Sequence, residues 1–479
     1  MNRVFENTAV LFIAHLIARL LSLGLTILLM PRYFSEEDFG SYLLAMFITN
    51  LIASVAELGM QAPLIREMTL HRRDARHFVG NALIIRILLS IVAFGGMVGS
   101  GYLLGYPRIT LQMIYLLGLA EAINSIAQLF RCVFRAFEQM KYEAFTLIAE
   151  RASVACVGGA LVLLGIDIVD FCIIVLTASV LNLILSIGIV ARRFTPLRFK
   201  FDLEIWGILM RQAIPFALGN IFNMIYFRID AVMLSKLSPD GVAANAWYGL
   251  AYMIVNAFTI LPGAFMGAMF PMMTRAFVDE TVDFRLIYTN AIRWMFVLGM
   301  PFAVGMAVLA EKVVLFLPPD YNRLTIAPAL HLLSWAGGLT FLTTVMITVL
   351  RAADKRRAFT LLMGTTALLN VALNFFLIPG IKIPWTNIRV ASHVGAAVTM
   401  IISESYLSIA GFIYISRRIS KLTRIRFAIK AMVVSALMGA GLIYLRDIMA
   451  IWLLIPAAIA FYCITMAILG EMRSMSAQR

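Results

Sequence analysis

The sequence predicts an all-α polytopic membrane protein, and three observations carry this prediction. Apolar residues make up 62% of the 479 positions and charged residues only 14%, whereas soluble domains are roughly 45–50% apolar. Apolar runs of about twenty residues, the length that crosses a bilayer as a helix, recur from one end of the chain to the other. Lys and Arg are abundant in every second loop between these runs. Such a composition excludes a soluble globular fold.

The apolar runs predict about 14 transmembrane helices. The first run is too long for the core of a signal peptide, and no cleavage motif precedes Pro31 and Arg32, so we interpret it as a span. The predicted spans lie at 8–30, 41–63, 79–104, 111–133, 144–165, 168–190, 207–235, 244–273, 289–316, 327–350, 358–378, 393–415, 427–445 and 450–470.

The positions of Lys and Arg predict how the spans are oriented. Cytoplasmic loops hold an excess of both residues, and here one set of alternate loops holds 22 of them against 7 in the other set. We therefore expect both termini in the cytoplasm of a bacterium or archaeon, with the chain in its inner membrane. Arg131 and Arg135 lie at a cytoplasmic helix end, where topology and snorkelling account for them.

The charge and the cysteines exclude several other functions. The net charge of +14 follows from the topology, and no basic stripe with exposed aromatics indicates nucleic-acid binding. The four cysteines show neither disulfide nor metal spacing. No P-loop and no zinc motif is present, so the sequence predicts no cofactor and no metal.

A weak internal repeat predicts two lobes. A short turn with Ser, an acidic residue and Gly follows both the first span (Ser35 to Gly40) and the seventh (Ser238 to Gly241), and an aromatic residue stands early in the helix after each. Spans one and seven cross in the same direction, so the repeats are parallel. We predict an N-terminal lobe at 1–200, a C-terminal lobe at 201–424 around a shared central cavity, and a C-terminal helix pair with a tail at 425–479.

Polar side chains recur at helical spacing within several spans. His15, Arg19, Ser22 and Thr26 form such a stripe in the first span. Polar groups at bilayer depth tend to face a bundle interior or a wet cavity, although uncharged ones also hydrogen-bond neighbouring helices as packing contacts. Stripes in other spans include Glu57, Glu121, Asn124, Asn223 and Asp230, with Arg228 on a neighbouring face of the seventh span and Glu404 near the middle of the twelfth.

Arg19 is the strongest single candidate. It lies about eleven residues, or roughly 16 Å, from either end of its span, which is beyond easy snorkelling. An arginine at that depth costs on the order of 2.5–3.5 kcal/mol on insertion scales. It therefore indicates either binding of an anionic substrate or a structural ion pair with a carboxylate such as Glu121.

Several segments resemble the polysaccharide transporter family, which includes the O-antigen and related lipid-linked oligosaccharide flippases of the multidrug/oligosaccharidyl-lipid/polysaccharide exporter superfamily. The likeness runs from about residue 8 to residue 415. It is carried by RYFSEEDFGSY at 32–42, ELGM at 57–60, LIRE at 64–67, Asp230, Asn370 and Asn374 before Ile378-Pro379, and Gly395-Ala396-Ala397 leading to Glu404.

The resemblance implies two six-helix lobes that open alternately and a polyprenyl-pyrophosphate-linked sugar as substrate, with membrane lipids and other polysaccharide-assembly membrane proteins as partners. A phosphate group needs cations, and guanidinium offers it paired hydrogen bonds. The substrate-binding candidates are Arg19, His15, Arg66, Arg228, Asn124 and Asn223. The candidates for coupling to Na⁺ or H⁺, or for gating, are Glu121, Glu404, Glu57 and Asp230.

One departure and three alternatives remain. In the family, Pro-Gly leads to Gly-Ala-Ala within a few residues, whereas here Lys382 to Val394 intervene. The alternatives are a cation-coupled multidrug or toxin extruder, a lipid II flippase, and a membrane-embedded glycosyltransferase or polymerase. The short outer loops, which lack clustered acids and arginines, argue against the enzyme.

Overall fold

The computed structural model describes residues 2–57, 59–71, 75–194, 202–277, 283–318, 321, 323–380, 391–422 and 426–471. All regular structure in these ranges is helical, which confirms the predicted all-α class. Most of the predicted insertion, 382–390, lies outside the described residues. The same holds for some positions counted in the topology, namely Arg72, Arg73, Arg198, Lys200, Lys382, Arg389 and Arg424.

The helices follow one another with short connections. Up to residue 237 they are α1 (Asn2–Leu23), α2 (Met30–Tyr33), α3 (Glu36–Glu57), α4 (Gln61–Leu70), α5 (Ala75–Leu103), α6 (Arg108–Ala136), α7 (Met140–Ser153), α8 (Gly159–Leu163), α9 (Ile168–Arg193) and α10 (Leu203–Leu237). Beyond it they are α11 (Ala243–Ala257), α12 (Ile260–Arg275), α13 (Phe284–Val314), α14 (Arg323–Ala352), α15 (Arg356–Leu377), α16 (Ser392–Arg418), α17 (Arg426–Leu445) and α18 (Ile451–Ile468).

Within the described ranges, 12 helical stretches are long and apolar enough to cross a membrane, and the bent pair α11 and α12 raises this to 13. All of them coincide with predicted spans. The remaining predicted span, 41–63, coincides with α3 and the start of α4. The sequence therefore places the spans correctly along the chain.

Two spans predicted as single helices are broken. The span 244–273 consists of α11 and α12, which meet at an angle of 41°. The span 41–63 ends as α3 at Glu57 and resumes as α4 at Gln61. Gly59 lies between them with φ +64°, a left-handed conformation that glycine adopts without steric cost.

Two further spans contain a π-helical segment, in which the backbone hydrogen bonds skip one more residue than in an α-helix. One segment, Gly24–Leu29, connects α1 with α2, and the other, Val154–Gly158, connects α7 with α8. The two spans pack together at this level, since a Cβ on Gly159 would lie 3.4 Å from a methyl group of Leu29. The continuous helices predicted at 8–30 and 144–165 are therefore wrong in this detail.

The chain divides into two compact units. The first unit comprises 1–236 and 240–246, and the second comprises 237–239 and 247–479. Packing thus groups α10 with the first unit. The lobe boundaries predicted at 200 and 424 derive from a sequence repeat and stay a prediction.

Each unit has an apolar core of its own. In the first, Leu64 of α4, Val79 of α5 and Phe130 of α6 are almost completely buried in one cluster. In the second, α17 and α18 pack on α13, where the Tyr462 hydroxyl donates a hydrogen bond to the Val297 carbonyl at 2.8 Å. The C-terminal helix pair is therefore an integral part of the second unit.

Close packing of two helices explains why the Gly395-Ala396-Ala397 motif begins with glycine. A Cβ at Gly395 would lie 2.4 Å from the Leu377 carbonyl oxygen. The first turn of α16 therefore lies directly against the last residue of α15, and only glycine leaves room for this contact.

Candidate functional site

The first unit contains nine of the ten predicted site residues, and Glu404 belongs to the second. The nine are His15, Arg19, Glu57, Arg66, Glu121, Asn124, Asn223, Arg228 and Asp230. They lie on four spans, formed by α1, by α3 with α4, by α6 and by α10.

Two buried ion pairs join α6 to α7 in this unit. Arg131 Nη2 donates to Glu150 Oε2 at 2.9 Å, and Asn182 Nδ2 of α9 donates to the same oxygen at 2.9 Å. Arg135 Nε donates to Glu143 Oε2 at 2.8 Å. Glu143 is 1% and Glu150 4% exposed. Both arginines lie near the end of α6, as expected, and they are held there by buried carboxylates, which topology and snorkelling do not explain.

The spacing of the charged residues in the sequence could have predicted these two ion pairs. Glu143 and Glu150 are seven residues apart and Arg131 and Arg135 four apart, so each set occupies one face of its helix. Oppositely charged faces on consecutive membrane helices indicate an ion-pair ladder between them, which lowers the cost of burying each charge.

His15 and Arg19 lie on α1, which packs on α7 through Ala14 and Ala18. His15 is exposed and Arg19 partly buried. The charges of Glu143, Arg135 and Arg131 act on His15, so this side chain lies within electrostatic range of the ion pairs. Thr26, the last member of the predicted stripe, is 9% exposed and lies in the π-helical segment Gly24–Leu29, so the stripe does not keep the spacing of one α-helix.

The break in the second span carries a polar cluster that reaches α6. Gln61 Nε2 donates to Gln128 Oε1 at 2.8 Å and lies 3.5 Å from Glu57 Oε2. Glu57 and Gln61 are both partly buried. The structure thus brings the predicted residue Glu57 together with a side chain of the fourth predicted span.

Glu121 lies within electrostatic range of several charges. The cations Arg151 and Arg228 and the anions Glu150 and Glu57 all act on it. Asn124, one turn further along α6, is partly buried, and its Oδ1 has no hydrogen-bond partner in the described part of the chain. This face of α6 is therefore polar and retains hydrogen-bonding capacity.

The predicted residues of α10 and α4 differ in exposure. The Arg228 guanidinium lies 4.9 Å from the centre of the Phe47 ring of α3, a cation–π contact. Asp230 is 3% exposed, Asn223 is partly buried, and Arg66 is exposed on α4. Arg228 therefore lies against the span that contains Glu57, whereas the Arg66 side chain is exposed.

The second unit has a separate buried polar group. Glu404 of α16 is 0% exposed, and its Oε1 accepts a hydrogen bond from Thr340 of α14 at 3.1 Å. On α15, Asn374 Nδ2 donates to Asn370 Oδ1 at 3.1 Å, and both residues are fully buried. Across the described ranges, no three His, Cys, Asp or Glu side chains are arranged to hold a metal ion.

The family model for polysaccharide biosynthesis proteins matches residues 4–277, which is more than half of the chain. The chain belongs to the polysaccharide biosynthesis protein family. The MatE model matches residues 215–376 of the same chain. None of the curated proteins matches it significantly in sequence.

Solved structures show the same fold as this polysaccharide biosynthesis family member. The lipid II flippase MurJ, in an inward closed conformation, matches with a TM-score of 0.75 and 16% identity over 96% of this chain and 98% of that one. An inward-facing MATE family multidrug transporter of the MOP superfamily matches with a TM-score of 0.68 and 14% identity, over 84% of this chain and 95% of that one.

A further match is a MOP superfamily transporter from Pyrococcus furiosus, whose binding pocket has reverse polarity. Its TM-score is 0.60 with 13% identity, over 86% of this chain and 95% of that one. These likenesses confirm the predicted two-lobed membrane fold. The chain accordingly has the multi-helix membrane fold of these three proteins.

Proposed function

We propose that this protein flips a polyprenyl-pyrophosphate-linked oligosaccharide from the cytoplasmic to the outer leaflet of a bacterial or archaeal inner membrane by alternating access. The family match over residues 4–277 carries this proposal, because it covers the whole unit that holds the membrane-depth arginines. The membrane-spanning fold and the relatives' printed functions support transport over covalent chemistry.

Two arginines of the first unit are held by buried glutamates. Glu150 and Glu143 already bind Arg131 and Arg135. A pyrophosphate requires cations, and Arg19 of α1 and Arg228 of α10 are partly buried cations on two further spans of this unit. We assign the pyrophosphate to these two arginines.

The remaining substrate candidates take supporting roles in the proposal. His15 lies on the same helix as Arg19, and Asn124 offers an unused carbonyl oxygen for a sugar hydroxyl. Asn223 lies on the same helix as Arg228. Arg66, which is exposed on α4, is assigned to the first contact with the anionic head group.

The coupling groups belong to both units. A carboxylate at membrane depth requires a proton, a cation or a fixed partner. Glu404 is fully buried and Asp230 nearly so, while Glu121 and Glu57 lie among other charges of the first unit. We propose that Na⁺ or H⁺ acts through at least one of these four residues.

Two alternatives have an observation in their favour. The fold likeness to MurJ favours lipid II as substrate, and the MatE match at 215–376 favours a cation-coupled extruder of drugs or toxins. Membrane lipids surround the protein in every case. Contacts with other polysaccharide-assembly membrane proteins belong to the proposal for the oligosaccharide substrate.

The test is a flipping assay with the purified full chain in proteoliposomes. Three substrates are compared: a fluorescent polyprenyl-pyrophosphate oligosaccharide, lipid II, and a cationic dye. We expect the oligosaccharide to become accessible to a membrane-impermeant reagent at least about tenfold faster than in protein-free vesicles. Preferred movement of lipid II or of the dye would replace the proposal with the corresponding alternative, and sugar transfer to an acceptor would indicate an enzyme.

A further inference from the structure

The largest fully buried side chain in the described structure is Arg86 of α5, with an exposed fraction of 0%. It lies eleven residues from the start of the helix at Ala75, which at 1.5 Å per residue is about 16 Å along the axis. An arginine near the middle of a membrane is costly. Its position therefore requires a reason, and no assigned substrate or coupling role includes it.

The contacts of Arg86 lead to the break in the second span. The last carbonyls of a helix have no N–H partner within that helix. Where α3 ends, the Met60 N–H donates to the Glu57 carbonyl at 3.0 Å, and Arg86 Nη1 donates to the Ala56 carbonyl at 3.0 Å. A side chain from α5 thus caps the broken end of α3.

The same guanidinium connects the break to α6. Its Nη1 also lies 3.4 Å from Ser125 Oγ, and the charge of Glu57, the residue after the capped carbonyl, acts on it. Gln61, whose Nε2 lies 3.5 Å from Glu57 Oε2, in turn donates to Gln128, one turn beyond Ser125 on α6. Three spans therefore make polar contacts with one another at the break, beside the apolar cluster that contains Met60.

Net stability does not account for this arginine. Its Nε and Nη2 groups are buried without a hydrogen-bond acceptor in the described residues, and unsatisfied buried donors are costly. An apolar side chain would fill the space without that cost. What an apolar residue lacks is a donor for the Ala56 carbonyl and a positive charge beside Glu57.

We propose that Arg86 is a positioning residue that fixes the break in the second span, so that Glu57 and Gln61 are held against Gln128 of α6. It does not touch the substrate. Its expected effect on transport rests on the proposed flippase function, whereas its effect on the break does not.

Hydrogen exchange measured by mass spectrometry on the purified full chain tests the local effect. In Arg86→Gln, the amides of 57–61 should exchange at least about tenfold faster, while amides in α9 should stay within twofold of wild type. In Arg86→Lys, which keeps a charged donor, the exchange rate at 57–61 should lie between those of Arg86→Gln and wild type. Arg86→Lys also serves as the test variant if Arg86→Gln does not fold.

Two matched variants control this experiment. Arg293→Gln removes another buried arginine, 6% exposed, from the uninterrupted helix α13 of the second unit and should leave exchange at 57–61 unchanged. Ser125→Ala removes the lateral acceptor and keeps the cap, so it should also leave this segment unchanged. Unchanged exchange at 57–61 in both Arg86 variants, or equal acceleration throughout the first unit, would overturn the proposal.

Transport kinetics provide the second measurement. Arg86→Gln should lower the flipping rate at saturating lipid-linked oligosaccharide by tenfold or more, while the half-saturating concentration stays within twofold. A shift of the half-saturating concentration at an unchanged maximal rate would instead make Arg86 a substrate contact. If wild-type protein flips none of this substrate, the proposed function fails, and the exchange result still decides the role of Arg86.

Discussion

Replacing Glu150 with Leu should destabilise the first unit strongly. Glu150 accepts hydrogen bonds from Arg131 and Asn182, each at 2.9 Å, and is 4% exposed. Removing one partner of a buried ion pair typically costs about 3–5 kcal/mol, because the other charge is left uncompensated. At roughly 2.1 cal/mol/K of unfolding entropy per residue and about 240 residues, this corresponds to a fall in Tm of about 6–10 °C.

The measurement is thermal unfolding of the purified protein in detergent at one fixed heating rate, since such unfolding is commonly irreversible. Arg356→Ala is the matched control, because its 2.6 Å pair with Asp354 is exposed and such pairs contribute about 0–1 kcal/mol. The double variant Arg131→Leu/Glu150→Leu should regain most of the lost Tm. If Glu150→Leu shifts Tm no more than Arg356→Ala does, or if the double variant is the least stable of all, the buried pair is not what holds α6 to α7.

Three further predictions concern transport and topology. Arg19→Ala should slow flipping by about ten- to a hundredfold, because it removes one charge-assisted contact of about 1.5–3 kcal/mol. The Tm should not change, and Arg19→Lys should recover part of the rate. A stable, fully active Arg19→Ala protein would exclude substrate binding by Arg19. The double variant Glu121→Gln/Glu404→Gln should fold but transport several-fold more slowly than wild type. If it transports normally across a range of pH and Na⁺ concentrations, neither residue takes part in coupling. Reporter fusions at Arg479 and after Arg446 should report opposite sides of the membrane, and the same side for both would contradict the even number of spans.

Much of the fold can be predicted from the sequence, since bilayer thickness sets the length of each apolar run. The spans therefore lie where expected, and the motif at Gly395 reflects a close helix contact that the structure shows directly. The break after Glu57 was not predicted, because Glu57 was interpreted as a polar member of one continuous span, 41–63. Only the positive φ of Gly59 and its surroundings define it.

The polar sites were harder to predict, because each depends on which helices are neighbours. Arg131 and Glu150 lie on different spans, and nothing in either span alone shows that they pair. Arg86 lies within an apolar run, where one charged residue barely changes the mean hydropathy. Sequence reasoning accordingly selected charged residues with polar neighbours on the same helix, such as Arg19, and missed one whose partners lie on two other spans.

The paired π segments affect how this chain can be aligned with its relatives. Each residue of an α-helix advances by about 100° around the axis, so one additional residue in a turn changes the phase of all that follows. Residues 2–23 and 30–33 of the first span therefore follow two different helical phases, as do the residues before and after 154–158 in the fifth. If a relative lacks one residue in both π segments, both spans change phase together, and the surfaces through which they pack still face each other. If only one of the two spans lacks a residue, its packing surface is rotated away from that of the other span. Single-residue gaps at 24–29 and 154–158 should therefore be read as a pair when sequences of this family are compared.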